Sequence, residues 1–77
     1  SGKEVKFGAT VSVTDEDINQ QFTYQIVGEN EADIKNKKLS ISSPLARALI
    51  GKEKGNIVEF SSPKGIKTYS IKSVKFI

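Results

Sequence analysis

One short stretch carries clear helix signals at both of its ends and lies between segments that alternate like strands. It reads Ser-Pro-Leu-Ala-Arg-Ala-Leu-Ile-Gly over residues 43–51. Ser43 suits the cap position, because its hydroxyl can accept a hydrogen bond from an N–H of the first turn. Pro44 suits the first helical position, and Gly51 suits the left-handed position just past the end. The stripe of apolar residues at helical spacing comprises Leu45, Ala48 and Leu49.

The segments before this helix alternate apolar and polar residues, which is typical of half-buried strands. Residues 3–14 and residues 22–26 both alternate, and the polar, acidic stretch 15–20 lies between them. Two such strands across a short polar connection predict an antiparallel hairpin. Residues 29–38 change from acidic to basic and are predicted to be mainly loop, and residues 39–41 a brief extended piece.

The segments after the helix predict two further strands. Residues 57–60 form the first, residues 62–65 suit a tight turn with proline second and glycine fourth, and residues 66–77 form a long last strand. The apolar phase of that strand slips between Ile71 and Val74. A β-bulge near Lys72 and Ser73 would return both apolar side chains to one face.

This order of elements favours an α+β fold, in which one short helix lies across a face of an antiparallel sheet. A chain of 77 residues is one domain, and a domain this small must bury most of its large apolar side chains. The predicted core is Val5, Phe7, Val11, Val13, Phe22, Tyr24, Ile26, Leu45, Leu49, Ile57, Phe60, Tyr69, Ile71, Val74 and Phe76.

Composition excludes several kinds of site. The chain has neither cysteine nor histidine, so zinc sites built on those residues, histidine bases and Ser-His triads are excluded. No apolar run approaches the length of a membrane span, and no signal-peptide pattern is present. We therefore expect a cytoplasmic protein without membrane contact. The net charge is +3, and eleven of the twelve basic residues are lysines, Arg47 being the exception; scattered lysines most often form a solvated face.

Residues 40–56, Ser-Ile-Ser-Ser-Pro-Leu-Ala-Arg-Ala-Leu-Ile-Gly-Lys-Glu-Lys-Gly-Asn, closely resemble a known signature. It belongs to the C-terminal domain of bacterial transcript cleavage factors of the GreA/GreB family. Residues 24–33 and the turn 62–65 are similar to two further blocks of that family, in the same order, so the resemblance covers residues 3–77. Asn56 departs from it, because an acidic residue usually stands there.

The resemblance implies an FKBP-like fold and a single C-terminal domain over residues 1–77. In that family, a separate N-terminal coiled coil enters the secondary channel of RNA polymerase and helps hold a catalytic magnesium ion. The polymerase then cleaves its own backtracked RNA. This chain would be the docking half only: a monomer that is not an enzyme, binds no cofactor or metal and touches nucleic acid at most indirectly. Ser42, Ser43 and Pro44 match the family positions that contact a coiled coil of the polymerase β′ subunit.

Two other functions stay open at this point. A Gre-like domain of a different regulator would dock at the same channel rim without stimulating cleavage. A prolyl isomerase is the enzymatic alternative, from the fold analogy alone, but a fold does not confer activity. An isomerase needs an apolar pocket lined by aromatic side chains, and this chain has no tryptophan and only six aromatic residues.

Two acidic groups have both a functional and an ordinary interpretation. Residues 15–17, Asp-Glu-Asp, could bind a hard cation such as magnesium, but we predict a solvated hairpin loop. Glu29, Glu31 and Asp33 could form an acidic recognition loop. We favour weak exposed pairs with the lysines that follow them at 35, 37 and 38.

The lysines, together with Tyr69 and Phe76, suggest a possible nucleic-acid surface, because such sheets expose aromatic rings for base stacking. Both rings share the apolar phase of their strand. We therefore predict that they belong to the core instead.

Overall fold

The computed structural model describes residues 4–76, in which a five-stranded sheet carries one α-helix. The α-helix, α1, spans Pro44–Leu49, and single 3₁₀ turns occur at Glu29–Glu31 and Ile34–Asn36. The strands are β1 (Thr10–Asp15), β2 (Gln20–Val27), β3 (Lys38–Ser40), β4 (Ile57–Ser62) and β5 (Gly65–Lys75).

The strands lie in the order β3-β2-β1-β5-β4. The pairs β1–β2, β1–β5 and β4–β5 are antiparallel, which confirms the predicted hairpin and the α+β class. At one edge the three-residue strand β3 runs parallel to β2. Its pairing was not foreseen, because three residues carry too little pattern to assign a partner.

The first strand begins later than predicted. Val5 is fully buried, but its backbone N–H donates to the carbonyl of Lys52 at 2.8 Å, and the N–H of Gly51 donates to the carbonyl of Val5 at 2.9 Å. Gly8 has a φ of +89° and turns the chain just before β1, a conformation that glycine adopts at little cost. Residues 4–9 are therefore a crossing segment, which Val5 ties to the loop after α1; residue 3 of the predicted strand lies outside the described residues.

The predicted β-bulge is confirmed. Ser12 of β1 pairs with Ser73, whereas the next residue, Val13, pairs with Ile71. Lys72 is consequently the extra residue in β5, and it is exposed. The bulge keeps the apolar residues on both sides of it on the inner face of the sheet.

The core lies between this inner face and α1. Three predicted core residues, Phe7, Ile57 and Phe76, are wrong: their side chains are 60%, 66% and 50% exposed. Phe7 lies in the turn before β1, Ile57 points to the outer face while its neighbour Val58 points inward, and Phe76 follows the last paired residue of β5. The buried apolar side chains are Val5, Ala9, Val11, Val13, Ile26, Val27, Leu39, Leu45, Ala46, Leu49, Val58, Tyr69 and Ile71.

The other predicted core residues are confirmed as part of this packing. Some are only partly buried and pack against the buried cluster. These partly buried side chains include Phe22, Tyr24, Phe60 and Val74.

Candidate functional site

Ser43 caps α1 as predicted. Its hydroxyl accepts a hydrogen bond from the N–H of Ala46 at 3.2 Å and donates to the carbonyl oxygen of Ser40 at 2.8 Å. The side chain is half-buried. Both interactions are internal, so the Ser43 hydroxyl fixes the start of the helix and is already occupied.

Ser42 and Pro44, on either side of the cap, are exposed. The N–H of Ser42 donates to the hydroxyl oxygen of Ser40 at 3.2 Å, and the two serine hydroxyls are 2.9 Å apart. Pro44 occupies the first helical position, where its missing N–H costs no hydrogen bond. The three candidate residues therefore form one short surface segment, with two side chains facing solvent and one holding the segment in place.

The opposite end of α1 is closed by backbone hydrogen bonds and a glycine. The N–H of Ile50 donates to the carbonyl oxygen of Ala46 at 2.9 Å, and the N–H of Lys52 donates to the carbonyl oxygen of Leu49 at 3.0 Å. Gly51, between them, has a φ of +85°. The predicted glycine stop is thus confirmed. One face of the helix is buried, and its buried residues are Leu45, Ala46 and Leu49. This burial holds α1, and with it the helix start, in a fixed position on the domain.

The acidic-to-basic loop before β3 is organised by Asp33. One of its carboxylate oxygens accepts from the N–H of Lys35 at 3.2 Å, and the other accepts from the side-chain amide of Asn36 at 2.7 Å. All ion pairs found within residues 4–76 involve Lys67 instead. Glu29 and the other acids of this loop therefore stay exposed without the predicted lysine partners.

Asp15 is the residue whose surroundings differ most from the prediction. It is only 2% exposed rather than part of a solvated loop, and its carboxylate lies 2.9 Å from the Lys67 Nζ. The same carboxylate accepts from the N–H of Asp17 at 2.9 Å. Burial on its own would raise the pKa of Asp15, but these hydrogen bonds and the lysine charge hold it below its ordinary value.

The neighbouring acids also bind within the chain. The Glu16 carboxylate accepts from the Ser70 hydroxyl at 2.6 Å, and its N–H donates to the carbonyl of Thr68 at 2.9 Å. Asp17 lies 3.7 Å from the Lys67 Nζ. This arrangement attaches the hairpin loop to β5. Across residues 4–76, the structure has no cluster of three or more acidic, histidine or cysteine residues that could hold a metal ion.

Two pairs of aromatic rings line the inner face near this ion pair. Phe22 stacks against Tyr24 with ring centres 6.2 Å apart, and Phe60 meets Tyr69 edge-on at 5.3 Å. Burial, and then the charge of Asp15, raise the pKa of both tyrosines. The hydrogen bond with Asp15 raises the pKa of Lys67 as well.

Sequence reasoning missed Ser40 and Lys67. Ser40 supplies both the carbonyl and the hydroxyl that hold the helix start. Its signal is a serine three residues before the cap. Lys67 has the same strand phase as Tyr69 and Ile71, which point inward, and a lysine in that phase indicates a buried acidic partner.

Within residues 4–76, no helix is long and apolar enough to cross a membrane.

Comparison with known proteins identifies relatives over the whole chain. The family model described as "Transcription elongation factor, GreA/GreB, C-term" matches residues 1–76. The chain is 57% identical over 77 residues to transcription elongation factor GreA of Caulobacter vibrioides, covering all of this chain and 49% of that protein. It is 58% identical over 76 residues to GreA of Maricaulis maris, covering 99% of this chain and 48% of that protein. The chain thus spans about half the length of these relatives.

Solved structures share the fold. The GreA factor homologue Gfh1 of Thermus thermophilus aligns with a TM-score of 0.81 at 26% identity, covering 97% of this chain and 50% of that one. A GreA/GreB elongation factor from Nitrosomonas europaea aligns with a TM-score of 0.79 at 26% identity, covering 99% and 63%. With the family model matching nearly every residue, this chain belongs to the GreA/GreB family of transcription elongation factors and corresponds to its C-terminal domain.

Proposed function

We propose that this chain is the RNA-polymerase-docking module of a transcript cleavage and elongation factor. The observation that carries the proposal is the exposed pair Ser42 and Pro44 at a capped helix start, within a chain that matches the family over residues 1–76. Relatives that are 57% and 58% identical to this chain are named transcription elongation factor GreA. The proposed partner surface is the β′ coiled coil at the rim of the secondary channel.

The geometry of the helix start suits docking because the segment is held rigid before it meets a partner. Four hydrogen bonds hold the segment: the Ser43 hydroxyl donates to the Ser40 carbonyl and accepts from the Ala46 N–H. The Ser40 hydroxyl accepts from the Ser42 N–H and bonds to the Ser42 hydroxyl. A preorganised segment loses little conformational entropy on binding. Pro44 offers an apolar ring of fixed shape, and Ser42 offers a hydroxyl that can exchange its bond with Ser40 for one with the partner.

The cleavage reaction itself lies outside the chemistry of this chain. We propose that the half of the factor not contained in these 77 residues is an N-terminal coiled coil. That coiled coil would bring acidic residues and a magnesium ion to the active site of the polymerase. This domain would act in the cytoplasm as a monomeric, non-catalytic anchor that sets where the coiled coil enters.

A competition experiment tests this function. Backtracked elongation complexes are incubated with a full-length GreA and increasing amounts of this chain, and the rate of transcript cleavage is followed. We expect the chain alone to give no stimulation and to suppress stimulation by GreA in proportion to its occupancy of the polymerase. If GreA stimulation is unchanged when this chain is in large excess, the proposal is wrong.

The alternative regulator, which would dock without promoting cleavage, gives the same competition result. The alternative regulator is distinguished from a cleavage factor by assaying the full-length protein for cleavage of backtracked RNA. A factor that carries an acidic-tipped coiled coil stimulates cleavage of backtracked RNA, whereas the alternative occupies the channel and leaves the RNA intact.

A further inference from the structure

The side of α1 that faces solvent carries the only arginine of the sequence, Arg47. The opposite side is buried and contains Leu45, Ala46 and Leu49. The helix packs against β4. Because Arg47 is exposed while the residues on the other side of this short helix are buried, its side chain lies on the outer surface of α1.

Two exposed apolar side chains lie one turn before and one turn after Arg47. They are Pro44 and Ile50, and residues three apart on a helix are neighbours on one face. The N–H of Arg47 donates to the carbonyl oxygen of Ser43 at 3.0 Å, and that of Ile50 donates to Ala46 at 2.9 Å. Helical hydrogen bonding therefore extends over all three positions, which we call the outer stripe of α1.

Arg47 has no acidic partner within residues 4–76, where all ion pairs belong to Lys67. The nearest acid along the chain, Glu53, lies in the loop after α1. Glu29 and Glu31 belong to the 3₁₀ turn that packs against β3. These three acids are exposed, and none of them pairs with the Arg47 guanidinium, which stays available to an external carboxylate.

The chemistry of the outer stripe indicates a carboxylate between apolar groups. A positive charge in the last turn favours the helix dipole, and a lysine would serve that purpose equally. A guanidinium differs from an ammonium because it forms two parallel hydrogen bonds with one carboxylate. A partner that covers Pro44 and Ile50 would exclude water from Arg47 between them, and a charge pair is stronger where water is excluded.

We propose that the outer stripe extends the docking surface and that Arg47 binds an aspartate or glutamate of the polymerase coiled coil. This inference rests on the proposed function. Pro44 belongs to both the helix start and the outer stripe, and Arg47 lies about 4.5 Å further along the helix axis. A partner helix seated on Pro44 therefore reaches Arg47. A nucleic acid would fit less well, because its phosphates require several cations together.

The test is the affinity of this chain for bacterial RNA polymerase at several salt concentrations, with Arg47→Gln, Arg47→Lys and the control Lys64→Gln. Lys64 is an exposed cation in the turn between β4 and β5. We expect Arg47→Gln to lose about tenfold or more in affinity, as for a charge-assisted pair, and to show a weaker salt dependence. Arg47→Lys should recover only part of the loss, while Lys64→Gln binds like wild type.

Urea unfolding of each variant separates this role from a structural one, since an exposed substitution should change the unfolding free energy little. Equal losses of affinity in Arg47→Gln and Lys64→Gln would overturn the inference, because net charge alone would then explain them. Full affinity in Arg47→Lys would contradict the two parallel hydrogen bonds.

Two further results distinguish this inference from the docking proposal on which it rests. If Pro44→Glu loses affinity and Arg47→Gln does not, the role of Arg47 is wrong and docking at the helix start stands. If the wild-type chain does not bind polymerase, both are wrong. Displacement of the polymerase from wild type but not from Arg47→Gln by a single-stranded oligonucleotide would identify phosphate as the ligand of Arg47 and would also overturn the inference.

Discussion

At Asp15, one carboxylate joins β1, the hairpin loop and β5. It accepts from the N–H of Asp17 and pairs with Lys67, and the side chain is almost completely buried. Local sequence suggests a solvated acidic loop, because three adjacent acids are usually exposed. The partner lies 52 residues further along the chain, so only its inward strand phase hints at the pair. The environment of Asp15 is therefore set by a contact with a distant part of the chain and not by its sequence neighbours.

The pH dependence of stability follows from the direction of this shift. The folded-state pKa of Asp15 is lowered from its ordinary value of 3.8, so its contribution is complete above that value and is lost as the pH falls through the folded pKa. We expect Asp15→Asn to lower the melting temperature at neutral pH, with a difference from wild type that shrinks on acidification below about pH 4. Thermal unfolding of both proteins at several pH values measures this difference in melting temperature.

Asp17→Asn is the matched control, since it alters an exposed carboxylate 3.7 Å from the same lysine. We expect its effect on the melting temperature to be small at every pH, because exposed pairs contribute little. Equal behaviour of the two variants would contradict the role assigned to Asp15.

The cap of α1 gives a second prediction at the level of single residues. Ser43→Ala removes the acceptor for the N–H of Ala46 and is expected to cost about 1 kcal/mol of unfolding free energy. Ser42→Ala, at an exposed neighbour, should stay within about 0.5 kcal/mol of wild type. Urea unfolding of both variants checks the difference, and a larger loss for Ser42→Ala would show that the cap is misassigned.

At the level of elements, the features with local causes could be predicted and those with distant partners could not. The cap, the first proline and the terminal glycine of α1 are local signals, and all three were correct. The bulge at Lys72 was visible as a phase change within one strand. The crossing segment was missed, because the hydrogen bonds of Val5 to the loop after α1 depend on residues far along the chain.

The packing of α1 against the sheet predicts a large effect at its buried stripe. Leu49 is fully buried, and Leu49→Ala is expected to cost about 2–5 kcal/mol through lost burial and the cavity left behind. Ile34→Ala, at a loop side chain 59% exposed, should cost less than about 0.5 kcal/mol. Denaturant unfolding compares the two. A small loss for Leu49→Ala would contradict the assignment of this helix face to the core.

For the molecule as a whole, the resemblance in the sequence led to the family, whereas the fold class followed from the order of the elements and the helix start followed from its capping residues. The structure adds that the three candidate residues differ: Ser43 holds the segment through internal hydrogen bonds, whereas Ser42 and Pro44 are exposed. The capping role of Ser43 was predicted from the local sequence, whereas the exposure of Ser42 and Pro44 was not, because residues of these types are ordinary at any helix start. The docking proposal accordingly rests on the two exposed positions.

The most direct test of that proposal is the affinity of this chain for bacterial RNA polymerase, measured with Pro44→Glu and the matched Pro63→Glu. Both prolines are exposed, and a glutamate in the first turn of a helix is well tolerated, so both variants should fold. We predict that Pro44→Glu weakens polymerase binding by about tenfold or more, as at a central contact residue, while Pro63→Glu binds like wild type. Equal binding by the folded Pro44→Glu variant would contradict the account.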